Sequence, residues 1–325
     1  MNRALVTGAN GHIGSNLVRE LLDHDYAVVA FVRDGADLRG LDGLDVRLVR
    51  GDVRDAGAVH EAMDGCTIVF HLAAPYVLWA KDDGAIVDPA VVGTENVLRA
   101  AKERGVKRVV LTGSCNAVGF TRGEPLDETA FGEAATSPYI RAKREQERRA
   151  RALAEELDVD VVTVLPTAVL GPHDYRKTPT TAPFVDALRG KGPVPFPMNV
   201  VDVRDVARGH RLAAERGVAG ERYLLGGDNV DMPTLATLIE KETGKKPAQG
   251  LPPMWVLRAV AVVAEAVSAV SGEPPMITRA ILDDVAGGAP LFTIDKARKA
   301  LGYEPRPAHE VVAATNAWAR EMKWI

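Results

Sequence analysis

Tyr139 and Lys143 stand four residues apart near the start of a long charged segment, residues 138–157, whose pattern is helical. Side chains at that spacing share one face of a helix, so the phenol and the ammonium are expected to be neighbours. A nearby positive charge favours phenolate and lowers the tyrosine pKa from its usual value of about 10. Such a tyrosine can exchange a proton with a carbonyl or hydroxyl oxygen near neutral pH. The same spacing also occurs in plain surface pairs, so its meaning depends on context.

Ser114 provides part of that context. It follows an apolar run, residues 106–112, that is typical of a buried strand. Ligands of parallel sheets bind in the crevice beyond the carboxyl ends of the strands, where a serine hydroxyl could hold a carbonyl oxygen. The alternative is that Ser114 only satisfies backbone groups of its own turn.

Three glycines near the start of the chain form a candidate phosphate cradle. Gly8, Gly11 and Gly14 lie between a short apolar run, residues 4–6, and a helical pattern that begins at residue 15. In a strand–turn–helix unit these glycines permit a tight turn, a close approach to a pyrophosphate and close packing of the helix on the strand. The helix N-terminus adds unpaired N–H groups and partial positive charge. A purely structural turn is the alternative.

The first half of the chain alternates apolar runs with helical patterns. The runs cover residues 4–6, 27–32, 46–49, 67–72, 106–112 and 159–165, and the helical patterns include residues 91–101 and 138–157. This alternation predicts an α/β fold with a doubly wound parallel sheet and right-handed crossovers. We expect residues 1–170 to form a dinucleotide-binding Rossmann domain to which residues 200–227 return. Residues 171–199 and 228–325 are expected to form mainly a smaller, largely helical substrate-binding lobe.

Composition narrows the possible partners and compartment. The 325 residues carry a formal net charge of −4, which gives no electrostatic reason to expect nucleic acid or an anionic membrane. Two cysteines cannot form a disulfide framework, and a reduced cytoplasmic location without a signal peptide is expected. The histidines are scattered without metal-ligand spacing, so no metal is expected. Residues 254–270 form an apolar stretch with charges in its middle, and this predicts a buried helix rather than a membrane span.

Taken together, these segments give the chain a family resemblance. The chain resembles the extended short-chain dehydrogenases/reductases, the group also called the NAD-dependent epimerase/dehydratase family. The segments that carry the resemblance are TGANGHIG at 7–14, GDV at 51–53, HLAA at 71–74, GT at 93–94, Ser114, YIRAK at 139–143, LPTAVLGP at 165–172 and DVRDVA at 202–207. They occur in the family's order and cover most of the chain.

The resemblance implies a role for each matching residue. Tyr139 would be the general acid/base, Lys143 would lower its pKa and bind the nicotinamide ribose, and Ser114 would polarise the substrate oxygen. Asp52 would contact the adenine amino group. The full set implied to bind the cofactor is Gly8, Asn10, Gly11, His12, Ile13, Gly14, Arg33, Asp52, Val53, Leu72, Ala73, Ala74, Tyr139, Lys143, Pro166, Thr167 and Val169. His12 has the alternative of only packing within the turn.

The end of the second strand bears on the choice of cofactor. An acidic residue there would accept from a ribose 2′-hydroxyl and repel a 2′-phosphate, whereas an arginine would pair with the phosphate. This chain has Val32 where many epimerases of the family carry the acid, and Arg33 follows. The arrangement resembles the dihydroflavonol-4-reductase-like branch and favours NADPH. Asp34 keeps NAD open, since it could bind the ribose if Arg33 turns outward.

The loops supply the candidate substrate residues, which are Tyr76, Trp79, Asn116, Phe120, His173 and Tyr175. This apolar and aromatic set suits a hydrophobic ketone or aldehyde better than a nucleotide-sugar, although Arg176 and Lys177 could serve a diphosphate. Tyr76 and Trp79 could equally be packing residues under a loop. The sequence therefore predicts an NADPH-dependent reductase of a small molecule, in a form that could be a homodimer. The alternatives are an NAD-dependent sugar epimerase/dehydratase and a dinucleotide sensor without catalysis.

Overall fold

The structure is a computed structural model that describes residues 2–74, 84–132, 137–192, 196–248, 252–271, 275, 277–286 and 288–325; the side chains of 84–86 and 285 are outside this description. The strands are β1 (Arg3–Thr7), β2 (Ala27–Val32), β3 (Val46–Arg50), β4 (Ile68–His71), β5 (Arg108–Thr112), β6 (Val161–Pro166), β7 (Ala168–Leu170), β8 (Met198–Asp202), β9 (Arg222–Leu225) and β10 (Asp228–Val230). The helices are α1 (His12–Leu22), α2 (Ala56–Ala62), α3 (Gly84–Glu103), α4 (Pro138–Leu157), α5 (Thr181–Leu188), α6 (Val203–Arg216), α7 (Met232–Thr243), α8 (Met254–Ser271), α9 (Arg279–Val285), α10 (Asp295–Leu301) and α11 (Ala308–Glu321). Short 3-10 turns cover Arg39–Leu41 and Cys115–Ala117.

Seven parallel strands form the main sheet in the order β3-β2-β1-β4-β5-β6-β9. The chain winds outward from β1 in one direction and then returns to β4 on its other side. The order therefore reverses between β1 and β4, which opens a crevice at the carboxyl ends of these strands. In the register, Thr7 at the end of β1 faces Phe31 of β2 and His71 of β4. The predicted doubly wound α/β fold is confirmed.

Helices cover both faces of this sheet because successive strand residues point to opposite sides. Val6 belongs to a core shared with Leu17 of α1 and Val206 of α6. Its neighbour Leu5 belongs to a separate core shared with Val97 of α3 and Leu153 of α4. The α4 helix is thereby held on the face opposite α1, with its first turn at the carboxyl ends of the strands.

The later part of the chain contains a second, smaller sheet that the sequence did not predict. Strands β10, β8 and β7 pair in that order, and helices α5, α7 and α11 share a third apolar core with them. Trp318 of α11 is only 4% exposed, so one face of α11 is packed against the rest of the fold. The division of the chain into 1–170 with 200–227, and 171–199 with 228–325, stays a prediction.

Helix α8 corrects one expectation. It was expected to be buried, yet only Ala261 and Ser268 are buried within it. Its charged residues face α9, since Arg258 pairs with Asp283 and Glu265 pairs with Arg279. Away from these ion pairs, Trp255, Val263, Val267 and Val270 are 74%, 63%, 60% and 91% exposed. By length and composition alone, α8 is also long and apolar enough to cross a membrane, a weak indication in a single helix.

Candidate active site

The glycine turn after β1 forms a tight cradle. Gly8 has φ +68°, and a Cβ on it would lie 3.1 Å from the backbone nitrogen of Ala73. A Cβ on Gly14 would lie 2.2 Å from the Gly8 carbonyl oxygen, so only glycine fits. Helix α1 begins at His12 and has Gly11 as its N-cap, where no side chain caps the helix. The first N–H groups of α1 are therefore suited to an anionic ligand such as a pyrophosphate.

The side chains of this turn tie it to its neighbours. Asn10 donates through Nδ2 to the Asp37 carbonyl oxygen at 3.2 Å. The His12 ring nitrogen Nε2 lies 3.1 Å from the Pro172 carbonyl oxygen, and burial lowers the pKa of His12. Ile13 packs against the main core. These contacts are structural, so whether Asn10, His12 and Ile13 also touch a cofactor stays a prediction.

The end of β4 lies against the glycine turn. The backbone N–H groups of Leu72 and Ala73 both donate to the Thr7 hydroxyl oxygen at 3.1 Å. These two amides are therefore already bonded, and a contact from Leu72, Ala73 or Ala74 to a cofactor would use other atoms. Their half-buried position beside Gly8 agrees with the expected close approach of this backbone to the cradle.

Lys143 is anchored at the end of the strand that precedes Ser114. Its ammonium donates to the carbonyl oxygen of Thr112, the last residue of β5, at 3.0 Å. It also donates to Oε1 of Gln146 at 3.1 Å, and the lysine side chain is buried. Burial lowers the pKa of Lys143 to about 8, while the nearby Glu147 carboxylate opposes this shift. A buried ammonium with a lowered pKa is typical of functional sites.

Tyr139 lies one helical turn before Lys143, in the first turn of α4. Pro138 opens the helix and Ser137 is its N-cap, as the sequence predicts, but the serine hydroxyl does not cap the helix. Instead the Ser137 backbone N–H donates to the Asp284 carboxylate of α9 at 3.0 Å. Tyr139 is 7% exposed. The spacing within α4 places its side chain on the face that carries Lys143.

Ser114 satisfies a backbone group of its own turn, which was one of the two roles considered for it, and its contact with a substrate oxygen stays a prediction. Its hydroxyl oxygen accepts from the backbone N–H of Asn116 at 3.2 Å and so caps the short turn Cys115–Ala117. Because this bond uses an acceptor position of the hydroxyl, its proton can still be donated to another oxygen. Helix α4 packs against the same turn. The structure thus brings Ser114, Tyr139 and Lys143 to one end of β5.

The ends of β2 and β3, where the sequence predicts the adenosine of a cofactor, carry more charged groups than the sequence analysis considered. Arg33 and Asp34 are both exposed at the end of β2. Asp52 forms two hydrogen bonds with the Arg54 guanidinium, at 2.9 and 2.7 Å, which hold the pKa of Asp52 at about 2. Val53 beside it packs on Gly93, where a Cβ would meet its side chain at 2.7 Å. The predicted adenine contact of Asp52 would therefore involve a carboxylate already paired with an arginine.

Asp37 and Arg39 lie close to the glycine turn, since Asn10 donates to the Asp37 carbonyl oxygen, and the sequence analysis assigned neither residue a role. The two form a close ion pair at 2.6 Å in the turn after β2. The Arg39 guanidinium also lies 5.3 Å from the ring centre of Tyr175. The available signal in the sequence was Arg39, six residues after Arg33. Residue types alone did not show that this loop lies next to the glycine turn.

Three residues at the end of β6 and just beyond it were predicted to lie near a nicotinamide. Pro166 ends β6, and the side chain of Val169 is buried in the main core. Thr167 is half-buried, and its hydroxyl oxygen is buried without a hydrogen-bond partner within the described part of the chain. A buried hydroxyl without a partner is costly, and a bound ligand group would satisfy it. This makes Thr167 the member of the group that best fits a cofactor contact.

The candidate substrate residues fall into separate groups. Asn116 and Phe120 are half-buried in the segment after Ser114. His173 and Tyr175 instead contact Trp318 of α11, with ring centres 5.1 Å away in both cases. Their contacts connect them to Arg39 and α11 and not to Ser114, as far as the described residues show. Tyr76 and Trp79 lie outside the described residues.

Thr94, Gln146 and His71 form a buried polar cluster behind Lys143. Gln146 donates through Nε2 to the Thr94 hydroxyl oxygen at 3.0 Å, and His71 Nε2 lies 3.0 Å from the same oxygen. The sequence analysis assigned no role to this cluster, although Gln146 stands three residues after Lys143. Within the described ranges, no group of three or more His, Cys, Asp or Glu side chains could hold a metal ion.

The glycine cradle at a switch point, together with the serine, tyrosine and lysine around β5, defines a dinucleotide-dependent oxidoreductase site. The NAD-dependent epimerase/dehydratase family matches residues 4–226, and the chain belongs to this family. It is an NAD(P)-dependent oxidoreductase of the extended short-chain dehydrogenase/reductase type.

Similar proteins include several reductases. A candidate dihydroflavonol 4-reductase of Synechocystis sp. is 35% identical over 98% of this chain and 95% of its own length. Sterol demethylase protein B of Methylococcus capsulatus is 35% identical over 77% of each chain. The crystal structure of gox2253 is 35% identical, covers 99% of this chain and 98% of its own, and superposes with a TM-score of 0.85. The similarity to reductases places the chain in the dihydroflavonol-4-reductase-like branch.

Proposed function

We propose that this protein uses NADPH to reduce a ketone or aldehyde carbonyl in a largely apolar small molecule. The observation that carries the proposal is the bond from the Lys143 ammonium to the Thr112 carbonyl oxygen. This bond fixes the lysine at the end of the strand that leads to Ser114. Tyr139 precedes it by one turn on the same helix, so a proton donor, its activating charge and an oxygen-binding hydroxyl share one end of the sheet.

The residues then divide the chemistry among themselves. When bound, NADPH supplies a hydride to the carbonyl carbon. Ser114 donates its hydroxyl proton in a hydrogen bond to the substrate oxygen, which favours the charge that develops there. Tyr139 transfers its phenolic proton to that oxygen, which completes the alcohol. The Lys143 ammonium stabilises the phenolate that remains on Tyr139.

The described residues fit such a cofactor. The close approach of Gly8 to Ala73, and of Gly14 to Gly8, leaves a backbone cradle that any Cβ would fill. The uncapped first turn of α1 suits its pyrophosphate, and the unpartnered Thr167 hydroxyl suits a polar group at the other end. Arg33 would pair with a 2′-phosphate, since Val32 before it is buried and cannot present a carboxylate to the ribose.

The substrate class is supported by the segment after Ser114 and by the similar proteins. Phe120 is half-buried in the segment after Ser114, and the similar proteins include a dihydroflavonol 4-reductase and a sterol demethylase protein. These names point to polycyclic substrates with much apolar surface. A homodimer and a cytoplasmic location remain predictions for this chain.

Titration calorimetry tests the cofactor preference. NADPH and NADH are titrated into the wild type, Arg33→Ala and Arg47→Ala, where Arg47 is an exposed control on the neighbouring strand β3. We expect Arg33→Ala to weaken NADPH at least about tenfold and leave NADH unchanged, because a charge-assisted pair is lost. Equal affinities for both cofactors in the wild type would contradict the NADPH assignment.

Turnover on a panel of apolar ketones and aldehydes tests the catalytic assignment. We expect Tyr139→Phe to lower kcat by about 10²-fold or more, because general acid catalysis typically contributes that much. Its Kd for NADPH should stay within about threefold of wild type, which separates lost chemistry from lost binding. A panel without any turnover in the wild type would instead support a dinucleotide sensor.

Exposed Asp34 favours a second candidate, an NAD-dependent sugar epimerase/dehydratase. Its carboxylate could accept from a ribose 2′-hydroxyl if Arg33 turns outward. Preference for NADH in the calorimetry, together with conversion of a nucleotide-sugar without net change in NADH, would establish this activity in place of the reductase.

A further inference from the structure

A continuous chain of hydrogen bonds leads from Lys143 through the interior of the sheet. The Lys143 ammonium donates to Gln146 Oε1, and the Gln146 amide donates to the Thr94 hydroxyl oxygen. His71 lies between Thr94 and Thr7. Its Nε2 is 3.0 Å from the Thr94 hydroxyl oxygen, and its Nδ1 is 2.8 Å from the Thr7 hydroxyl oxygen. All five side chains are at most 6% exposed.

The direction of each bond follows from the donor inventory. The Thr94 hydroxyl has one proton, and it donates that proton to the Ala90 carbonyl oxygen at 2.7 Å. Both other contacts of this oxygen must therefore come from donors, which are the Gln146 amide and a protonated Nε2 of His71. His71 Nδ1 is then an acceptor, and the Thr7 hydroxyl donates to it.

This ordering also fixes the orientation of Gln146. Its NH₂ group must point at Thr94, because the Thr94 oxygen can only accept there. The amide oxygen is then the atom left for the lysine. A flipped amide would place two donors, the NH₂ group and the ammonium, against each other. Thr94 thus acts on Lys143 through the side chain between them.

We propose that Gln146 is the positioning residue of Lys143, and that Thr94 and His71 hold Gln146 in the orientation that this requires. The inference rests on the proposed catalytic role of Lys143. The lysine is held between a backbone carbonyl and a neutral amide, so it remains a strong charge beside Tyr139 without a direct carboxylate partner among the described residues. The same chain of bonds reaches Thr7, which precedes the glycine cradle, and so links the cofactor turn with the catalytic lysine.

The other charged and titratable groups around Lys143 act more weakly or are balanced. Glu147 of α4 raises the lysine pKa, but its carboxylate pairs with Arg222 of β9 at 2.5 Å. His71 of β4 is neutral, since burial and then the Lys143 charge lower its pKa to about 3. His210 of α6 meets the Thr112 hydroxyl, and burial lowers its pKa to about 4.

Titration of the Lys143 Nζ resonance by NMR tests the proposal without any substrate. The protein carries ¹⁵N-lysine, and the Lys143 signal is assigned by its loss in Lys143→Arg. We expect Gln146→Met, which keeps the volume but removes the acceptor, to lower the Lys143 pKa by about one unit. Gln146→Glu should raise it by at least about one unit, because a carboxylate then contacts the ammonium.

Two further variants keep the test decisive if a charge at position 146 prevents folding. Thr94→Val removes the hydroxyl that orients Gln146 and should lower the Lys143 pKa, whereas Thr94→Ser retains it and should restore the wild-type value. Ala152→Glu adds the same charge on the exposed face of α4 and should leave the pKa unchanged.

The outcomes separate this proposal from the proposed function. If Lys143 titrates within about 0.3 unit of wild type in folded Gln146→Met and Thr94→Val, Gln146 only fills space and the proposal is overturned. If the pKa values shift as expected but no carbonyl is reduced, the positioning stands and the reductase does not. In an active enzyme, the pH profile of kcat/KM should move in the same direction as the Lys143 pKa in each variant.

Discussion

Two buried histidines in this fold are held in opposite tautomers. His71 must carry its proton on Nε2, because the Thr94 oxygen that it meets can only accept. His210 must carry its proton on Nδ1, which lies 2.7 Å from the Val206 carbonyl oxygen, and its Nε2 accepts from Thr112. Each imidazole is therefore a fixed connector between a strand end and a helix. Neither is arranged as a proton shuttle.

These tautomers give a prediction for NMR and for acid stability. Two-bond ¹⁵N–¹H correlation spectra should show Nε2–H for His71 and Nδ1–H for His210, with both rings neutral at pH 6. The native pKa values of about 3 and 4 lie below the unfolded value of 6.5. Between those values only the unfolded chain takes up the protons, so the free energy of unfolding should fall as the pH drops below about 6.5.

Over this pH range, each histidine should lower the free energy of unfolding by about 1.4 kcal/mol per pH unit as the pH falls. Urea denaturation at pH 7 and pH 5 measures it, and His210→Gln should reduce the loss by about 2 kcal/mol at pH 5. His24→Gln is the control, because the His24 side chain is 42% exposed. Equal losses in wild type and His210→Gln would show that His210 is not buried in its neutral form.

The sequence predicted the residues that lie at recognisable spacings, and it missed those that depend on tertiary contacts. Tyr139, Lys143 and Ser114 were found because a helical period and a strand end bring them together. Gln146 could have been noticed at i+3 from Lys143, but its role depends on Thr94 from a different helix. Arg39 needed a loop conformation that residue types alone do not determine. The roles of all these residues stay predictions.

At the level of elements, a buried ion pair connects β9 with α4. Arg222 of β9 contacts Glu147 of α4 at 2.5 Å, and the two side chains are 10% and 7% exposed. Arg222 also donates to the carbonyl oxygens of Glu128 and Ala130 at 2.6 and 3.0 Å. The pair therefore holds the edge strand β9, helix α4 and the segment after Phe120 against one another.

Removing one partner of this pair should be costly. We expect Arg222→Leu to lower the free energy of unfolding by about 3–5 kcal/mol, because the Glu147 carboxylate stays buried without its charge partner. The double variant Arg222→Leu/Glu147→Leu should recover part of that loss. Lys102→Leu, which breaks a pair with side chains 50% and 102% exposed, should cost less than about 1 kcal/mol. If Arg222→Leu and Lys102→Leu lowered the free energy of unfolding by similar amounts, Glu147 would be solvated and not buried.

Helix α8 is the element for which the sequence pattern was least informative. Its apolar residues outnumber its charges so strongly that composition predicted burial, yet the two charged side chains are the ones that face α9. The physical reason is that each charge finds a partner on α9, Asp283 or Arg279. Periodicity could not show this, because nearly the whole helix surface is apolar.

A matched pair of substitutions tests the orientation of α8. Val263 is 63% exposed, whereas Ala261 two residues earlier is fully buried. We expect Val263→Asp to change the free energy of unfolding by less than about 0.5 kcal/mol, and Ala261→Asp to cost about 3 kcal/mol or more. Chemical denaturation measures both. A large cost for Val263→Asp would mean that the outer face of α8 is covered in solution.

For the whole molecule, the doubly wound parallel form of the main sheet was the most predictable property. Six of its seven strands come from the alternating pattern in the first half of the chain, and that pattern allows few other topologies. The small β7-β8-β10 sheet was not predicted, because two of its strands have only three residues each. Three residues are too few to show the alternation of apolar and polar side chains that marks a strand in a sequence.

The order of the strands also has a consequence in time. The ribosome produces the first six strands by residue 166, but β9 and Arg222 follow only after 56 more residues. At about 5–20 residues per second, this interval lasts on the order of several seconds. During this interval β6 is an unpaired edge strand of the nascent sheet, and Glu147 of α4 lacks its partner Arg222. Unpaired edges recruit other strands, so the half-made chain is the form of this protein most in need of a chaperone.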